Sequence, residues 1–322
     1  LNVGCLILIM KILSNNIKSQ IIGMYVDLKY PIRKINRLLM VDRRTIRNIL
    51  IKENIELIGK DKANEFFNTK HPKTVFCENE KEKAYLIGFA IGDLYVAKRS
   101  KSTLRITTAT THKDFITLLH HLFDKYGPIY VYPTKQKEDY KWNICIDLDL
   151  NSFDFLLNRQ NINFEKDSLF LYFLAGIIDS DGSIIIRKVR EHIQFVIRVF
   201  NQNTILLKMI KEGLTKFGFK TSMYINMKKG RIKITNKSII ISNKDDYILE
   251  LSSKKEVIRL LKLLPIQHPE KVLWKNLIFE INDQNIKRHV NVKIKLDAIR
   301  NRIMSDTQES INKAKEVYLL KH

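Results

Sequence analysis

A chain of 322 residues, 45% of them hydrophobic, is long enough to bury two or three cores, which excludes a single small module. Its 56 Lys and Arg outnumber 34 Asp and Glu, leaving a formal charge of +22 that predicts a polyanionic partner. Those basic residues are spread through periodic sequence instead of clustering beside an apolar span, so nucleic acid is expected and a membrane is not.

The opening LNVGCLILIMKIL is apolar but too short to cross a bilayer, and it lacks a charged start and a small-residue cleavage site. Residues 1–19 are read as a partly buried or poorly ordered N-terminal segment, with the translation start left open at positions such as Met10 or Met24. Cys5, Cys77 and Cys145 are odd in number and far apart, so neither a disulfide framework nor a thiolate cluster is indicated. An intracellular setting, cytoplasmic, nucleoid-associated or organellar, is expected rather than secretion.

From residue 20 to residue 60 the apolar positions fall at helical spacing in three runs: Ile21, Ile22 and Tyr25; Ile35, Leu38 and Leu39; Ile46, Ile49 and Leu50. Three short helices are predicted, with Pro31 opening the second and Asp42 capping the third. The spacing resembles a helix-turn-helix, with Met40 standing in the turn where glycine is common. Its third helix would offer Arg43, Arg44, Arg47 and Asn48 to phosphates and base edges.

Residues 61–83 read as a polar linker, after which the chain repeats itself. YLIGFAIGDLYVAKR from Tyr85 is echoed by YFLAGIIDSDGSIIIRK from Tyr172, and LLHHLFDKYG from Leu118 by LLKMIKEGLTKFG from Leu206. ICIDLDLNSFDFLL from Ile144 is echoed by ILELSSKKEVIRLL from Ile248. A period of roughly ninety residues is too long for a solenoid, so a duplicated domain is expected, residues 84–165 and 166–283, followed by a helical extension 284–322. Each copy reads as αββαββα. Period-2 alternation gives each sheet an apolar face and a basic face. Lys98, Arg105 and Lys141 are placed on the basic face of the first copy, and Arg187, Gln194, Arg198, Lys228, Arg231 and Lys233 on that of the second. The runs from Leu94 to Lys113 and from Lys220 to Lys244 hold no acid, so both faces are expected to be acid-free and suited to the DNA major groove.

LAGIIDSDG (Leu174 to Gly182) resembles the LAGLIDADG signature at nearly every position, and LIGFAIGDL (Leu86 to Leu94) is a looser version in which Ile91 replaces an acid and Leu94 the final glycine. Gly88 and Gly92, four apart, share one helix face, as do Gly176 and Ser180 beside Ala175, so two such helices can pack backbone to backbone. Their C-terminal ends would then bring Asp93 and Asp181 side by side as a hard oxygen site for Mg²⁺ or Mn²⁺.

The resemblance to the LAGLIDADG homing endonucleases implies an α+β fold of two αββαββα domains in a pseudo-two-fold saddle, preceded here by a small helical domain. It also implies a monomeric pseudo-dimer that makes a staggered double-strand break in DNA. Asp93 and Asp181 match the family's catalytic acids; Asp179 matches an earlier acid that more often shapes the helix end. The resemblance further implies a lysine beside the active site. Lys98, Lys141, Lys188 and Lys233 are candidates by strand position. A silent DNA-binding regulator and an RNA maturase that assists intron splicing remain open as alternatives.

Overall fold

The computed structural model describes residues 16–28, 30–58, 73–77, 79–159, 167–234, 239–286 and 288–320. Most of the N-terminal apolar segment, most of the expected linker, and Thr235 lie outside the described residues, as does the side chain of Lys233. The chain forms two compact units, residues 1–72 and 73–322.

In the first unit, helices α1 (16–26), α2 (Ile32–Leu39) and α3 (Arg43–Lys52) close around Ile21, Tyr25, Ile35, Ile46 and Leu50. Asp42 caps α3, its carboxylate accepting from the Arg44 N–H at 2.8 Å. Met40 ends α2 at φ +53°, the left-handed conformation for which glycine is the usual residue. Leu38, expected in the core, is instead exposed, because eight residues of α2 turn only Ile35 fully inward.

The second unit is α+β. Helix α4 (Glu80–Gly92) leads into β1 (Tyr95–Lys98) and β2 (Thr103–Thr110), then α5 (Lys113–Phe123), β3 (Ile129–Gln136) and β4 (Asp139–Asp149). Helix α6 (Asp167–Asp181) begins the same order again: β5 (Gly182–Val189), β6 (His192–Asn201), α7 (Thr204–Lys216), β7 (Ser222–Met227), and, after the small hairpin β8 (Ile232–Ile234) and β9 (Ile239–Ile241), β10 (Asp246–Leu251). Both four-stranded antiparallel sheets have one topology, β1-β2-β4-β3 and β5-β6-β10-β7. The last helix of each αββαββα copy differs. The second copy has α8 (Lys254–Leu263), and among the described residues the first has a 3-10 turn, Asp154–Leu156, at that place.

The third sequence echo is displaced by one residue in the sheets. Ile146 lies opposite Ile106, itself opposite Val96, three residues past Asp93. The matching ladder runs from Ile184, three past Asp181, through Ile197 to Leu251. The echo had set Ile146 beside Glu250. A slip of one residue exchanges the faces of a strand, so the acid moves from an inward to an outward position.

Beyond α8 the chain continues through α9 (Pro269–Asp283), a 3-10 turn (His289–Val292) and α10 (Lys293–Leu319). Helix α10 packs on β3 and β4 of copy 1. The Trp142 indole N–H donates to the Ser310 hydroxyl at 3.1 Å, and the Tyr140 and Tyr318 rings meet edge-on at 5.6 Å.

Helices α4 and α6 pack against each other more extensively than any other pair of elements. Neither is amphipathic, because both are buried between the copies. A Cβ on Gly88 would stand 3.0 Å from the Phe173 carbonyl carbon and closer still to its oxygen; one on Gly176 would stand 3.1 Å from the Tyr85 carbonyl carbon, again closer to the oxygen. Gly88→Ala or Gly176→Ala should therefore force the helices apart and cost about 1–3 kcal/mol. Denaturant unfolding would register this as a lower midpoint, and an unchanged midpoint would refute the backbone-contact assignment.

Candidate active site and nucleic-acid faces

The glycine crossing fixes where the two helices end. Gly92 rests against Ser180, and the Asp181 carboxyl carbon lies 2.9 Å from where a Cβ on Gly92 would stand. Asp93 follows Gly92 directly, so the two acids predicted from the motifs share the foot of one seam. Crowding by protein raises the Asp93 carboxyl although its tip reaches solvent, and the Lys271 ammonium partly offsets this. Burial first, and then the Asp93 charge, push Asp181 up to about 6, opposed by Asn201, whose amide donates to Oδ2 at 3.2 Å. Asp179 is 1% exposed. Its Oδ2 accepts from the Tyr85 hydroxyl and the Gln267 N–H, each at 2.7 Å, so it ties the helix ends to the chain entering α9. Its Oδ1 has no hydrogen-bond partner among the described residues.

Two cations close the helix ends in matching ways. The Lys271 ammonium, on α9, donates to the carbonyls of Ile178 and Ser180. Arg159, just past the 3-10 turn of copy 1, donates to the carbonyl of Ala90. Ala90 and Ile178 each stand three residues before the acid of their own copy, and a cation there complements the negative helix terminus. The two differ in charge control. Burial lowers Lys271 to about 8 against the pull of Asp179, Asp93 and Asp181, whereas Arg159 remains a guanidinium. Lys98, Lys141, Lys188 and Lys233, the sequence candidates for a site lysine, all lie on strands, whereas among the described side chains the cations that donate to these helix ends are Lys271 and Arg159. Lys271 was missed because it lies beyond the three echoed segments and nothing local marks it.

A cavity of about 320 Å³ opens beside the seam, lined by Asp93, Thr110, His112, Asp179, His268 and Lys271 among others. Within it His112 Nδ1 pairs with Glu270 Oε1 at 2.7 Å. His268 is 6% exposed, burial lowers its imidazole to about 4, and its Nδ1 has no hydrogen-bond partner among the described residues.

Residues 169–264 match the LAGLIDADG-like domain family. The uncharacterized protein MJ0314 of Methanocaldococcus jannaschii is 26% identical over 186 residues, 56% of this chain and 69% of that protein. The ATP-dependent DNA helicase Hel308 of the same organism is 26% identical over 244 residues, 69% of this chain but only 19% of the helicase. Among solved structures, the homing endonuclease I-WcaI bound to its DNA recognition sequence is similar at 18% identity and TM-score 0.44, over 70% of this chain and 96% of that one. I-DmoI in complex with DNA and Ca is similar at 18% identity and TM-score 0.40, over 61% and 98%.

The outward sheet faces of copy 2 and copy 1 are basic but not acid-free. On β4, Asp147 lies opposite Arg105 and accepts from its Nε at 2.7 Å, while Arg99 pairs with the same carboxylate. On β10, Glu250 accepts from the Arg198 Nε at 2.7 Å, from Arg187 at 3.4 Å and from the Tyr224 hydroxyl at 2.8 Å. The acid-free runs were real as sequence, but the central strand of each sheet comes from elsewhere in the chain and inserts an acid between the arginines. Arg187 also donates to Gln194 at 2.8 Å. Lys98 lies opposite the buried Leu104 and so takes the helix side of the pleat; Arg99 is the basic residue beside Arg105. Lys141 shares the Arg105 face and reaches Gln136. Lys228 and Arg231 are exposed in the β7–β8 turn, and Lys233 lies on β8. In the first unit Arg43, Arg44, Arg47 and Asn48 are all exposed on α3. Among the described residues no helix is long and apolar enough to cross a membrane.

The Asp181 site opposes folding above its own titration. Folded Asp181 holds its proton to about 6 while the unfolded residue releases it near 3.8, so stability falls as pH rises from about 4 through 6. With a chelator present, Asp181→Asn should melt above the unchanged chain at pH 8 and converge with it near pH 4. Equal melting temperatures at both pH values would refute the strain.

Proposed function

We propose that this chain is a divalent-metal-dependent DNA endonuclease that works as a pseudo-dimer within one chain and cuts both strands of a duplex at staggered positions. The observation that carries the reading is the meeting of Asp93 and Asp181 at the foot of the glycine seam, between two basic sheet faces. Two carboxylates, one raised by burial and then by the other's charge, suit a hard cation. Among the described residues no three His, Cys, Asp or Glu side chains form a ligand set, so Mg²⁺ or Mn²⁺ held by Asp93 and Asp181 would complete its shell with water and phosphate oxygen. Such a cation would neutralise charge on the scissile phosphate and acidify a bound water.

The protein's own groups then have separable roles. Lys271 places a titratable amine among the acids, able to take the proton of the attacking water in its neutral form. Asn201 orients the Asp181 carboxylate. The arginines held by Asp147 and Glu250 present fixed forks to base edges, and Arg43, Arg44, Arg47 and Asn48 extend the contact from a helix-turn-helix. Two structural neighbours are DNA complexes of homing endonucleases, and neighbours crystallised with Ca, Mn or Mg accord with a divalent cation. An RNA maturase is the second reading, favoured by the exposed Tyr95, Tyr130 and Tyr132 of copy 1, since unpaired bases stack on aromatic rings.

Cleavage selection from a randomised duplex library in Mg²⁺ tests the proposal. The unchanged chain should yield one preferred site. Asp93→Asn and Asp181→Asn should each lose about 100-fold or more in rate while still binding, and Lys271→Met about 100-fold. Absence of any double-strand product would sink the endonuclease, and stimulated intron splicing would favour the maturase. Replacing Arg43, Arg44 and Arg47 by Ala should reduce the salt dependence of binding by about 1 in log–log slope per lost phosphate contact. An unchanged slope would remove α3 from the interface.

A further inference from the structure

We propose that His112 is a catalytic general acid serving only one of the two DNA strands; this rests on the endonuclease reading above. The first observation is positional. His112 and Asn203 each immediately precede a helix, α5 and α7, and stand two residues after Thr110 and Asn201 at the ends of the matching strands β2 and β6. Asn203 caps its helix, accepting from the N–H groups of Ile205 at 3.0 Å and Leu206 at 3.2 Å. His112 makes no side-chain cap, although a capping side chain there is worth about 1 kcal/mol. It turns instead to Glu270 on α9.

The second observation is where that turn leaves the ring. With Nδ1 held by Glu270, Nε2 is the nitrogen left to exchange protons, and the imidazole lines the cavity that Asp93, Ser180 and Lys271 also line. A carboxylate behind Nδ1 is the arrangement that orients a histidine and favours its protonated form. The groups facing it are Glu270 from α9, His268 just before α9 and Asp114 from the helix that follows His112, with Arg302 and Asp306 of α10 acting on Asp114. The Glu270 hydrogen bond leads these in raising His112 against the opposing effect of burial.

In the step assigned to His112, the water oxygen bonds to phosphorus as the bond from phosphorus to the leaving sugar oxygen breaks. The electron pair of that bond stays on the sugar oxygen, which takes the Nε2 proton and departs as a hydroxyl. The water's proton passes to Lys271 or solvent, and the imidazole is reprotonated from solvent. Asn203 cannot do this for the other strand, so the two cuts are chemically unequal.

The test uses the duplex selected by the unchanged chain, with each strand labelled separately. His112→Gln, and His112→Asn, which restores a capping residue, should slow the cut of one strand by about 100-fold and leave the other within about twofold, so that nicked duplex accumulates. For that strand the unchanged chain should decline in rate at alkaline pH, and the variants should lose this decline. Sulfur in place of the leaving oxygen on that strand needs no proton and should restore the variants' rate. Ring-proton NMR titration supplies a readout apart from activity: His112 should titrate above the ordinary histidine range, and Glu270→Gln should bring it down. Equal slowing of both strands, no slowing, or no rescue by sulfur would overturn the proposal while leaving the endonuclease standing. An unchanged chain that cuts nothing would remove both.

Discussion

The backbone contact between α4 and α6 is the constraint on which the rest of unit 73–322 depends. Gly88 faces Phe173 and Gly176 faces Tyr85, two contacts that exchange under the pseudo-two-fold relation between the copies. Carbonyls that close leave no room for a side chain, so the helices can cross only there, and their ends are placed together without further adjustment. Everything chemical at the site follows from that crossing: the crowding that raises Asp181, the burial of Asp179, and the cations over the Ala90 and Ile178 carbonyls.

Symmetry is strict at the crossing and relaxes with distance from it. At the helix ends the cation is Arg159 on one side and Lys271 on the other. One residue layer further out, His112 stands where copy 2 has the capping Asn203. On the sheet faces both copies place one carboxylate between two arginines, but Asp147 and Glu250 sit at adjacent steps, not at equivalent ones. Burying an acid on a face of a +22 chain opposes attraction to a polyanion. What it supplies is fixed guanidinium geometry, which separates recognition from mere charge.

The last two helices tie the asymmetry together. Helix α9 contributes Lys271 and Glu270 to the cavity, with His268 just before it, and α10 returns to copy 1 through Trp142 and Tyr140. Helix α10 thus braces copy 1.

The duplicated domain, the alternating strands, the glycine face of each central helix and the pairing of Asp93 with Asp181 were legible in the amino-acid order, because each depends on short-range spacing. Met40 in the first unit shows the same legibility, since the turn keeps its left-handed residue without glycine. What spacing could not supply were partners brought from far along the chain. Asp147 meets Arg105 only through strand order, one residue of register separates Ile146 from its expected counterpart, and Lys271 reaches the seam from beyond the echoed segments. Periodicity reports which side of an element is apolar; only the assembled fold decides which distant charge arrives on the other side.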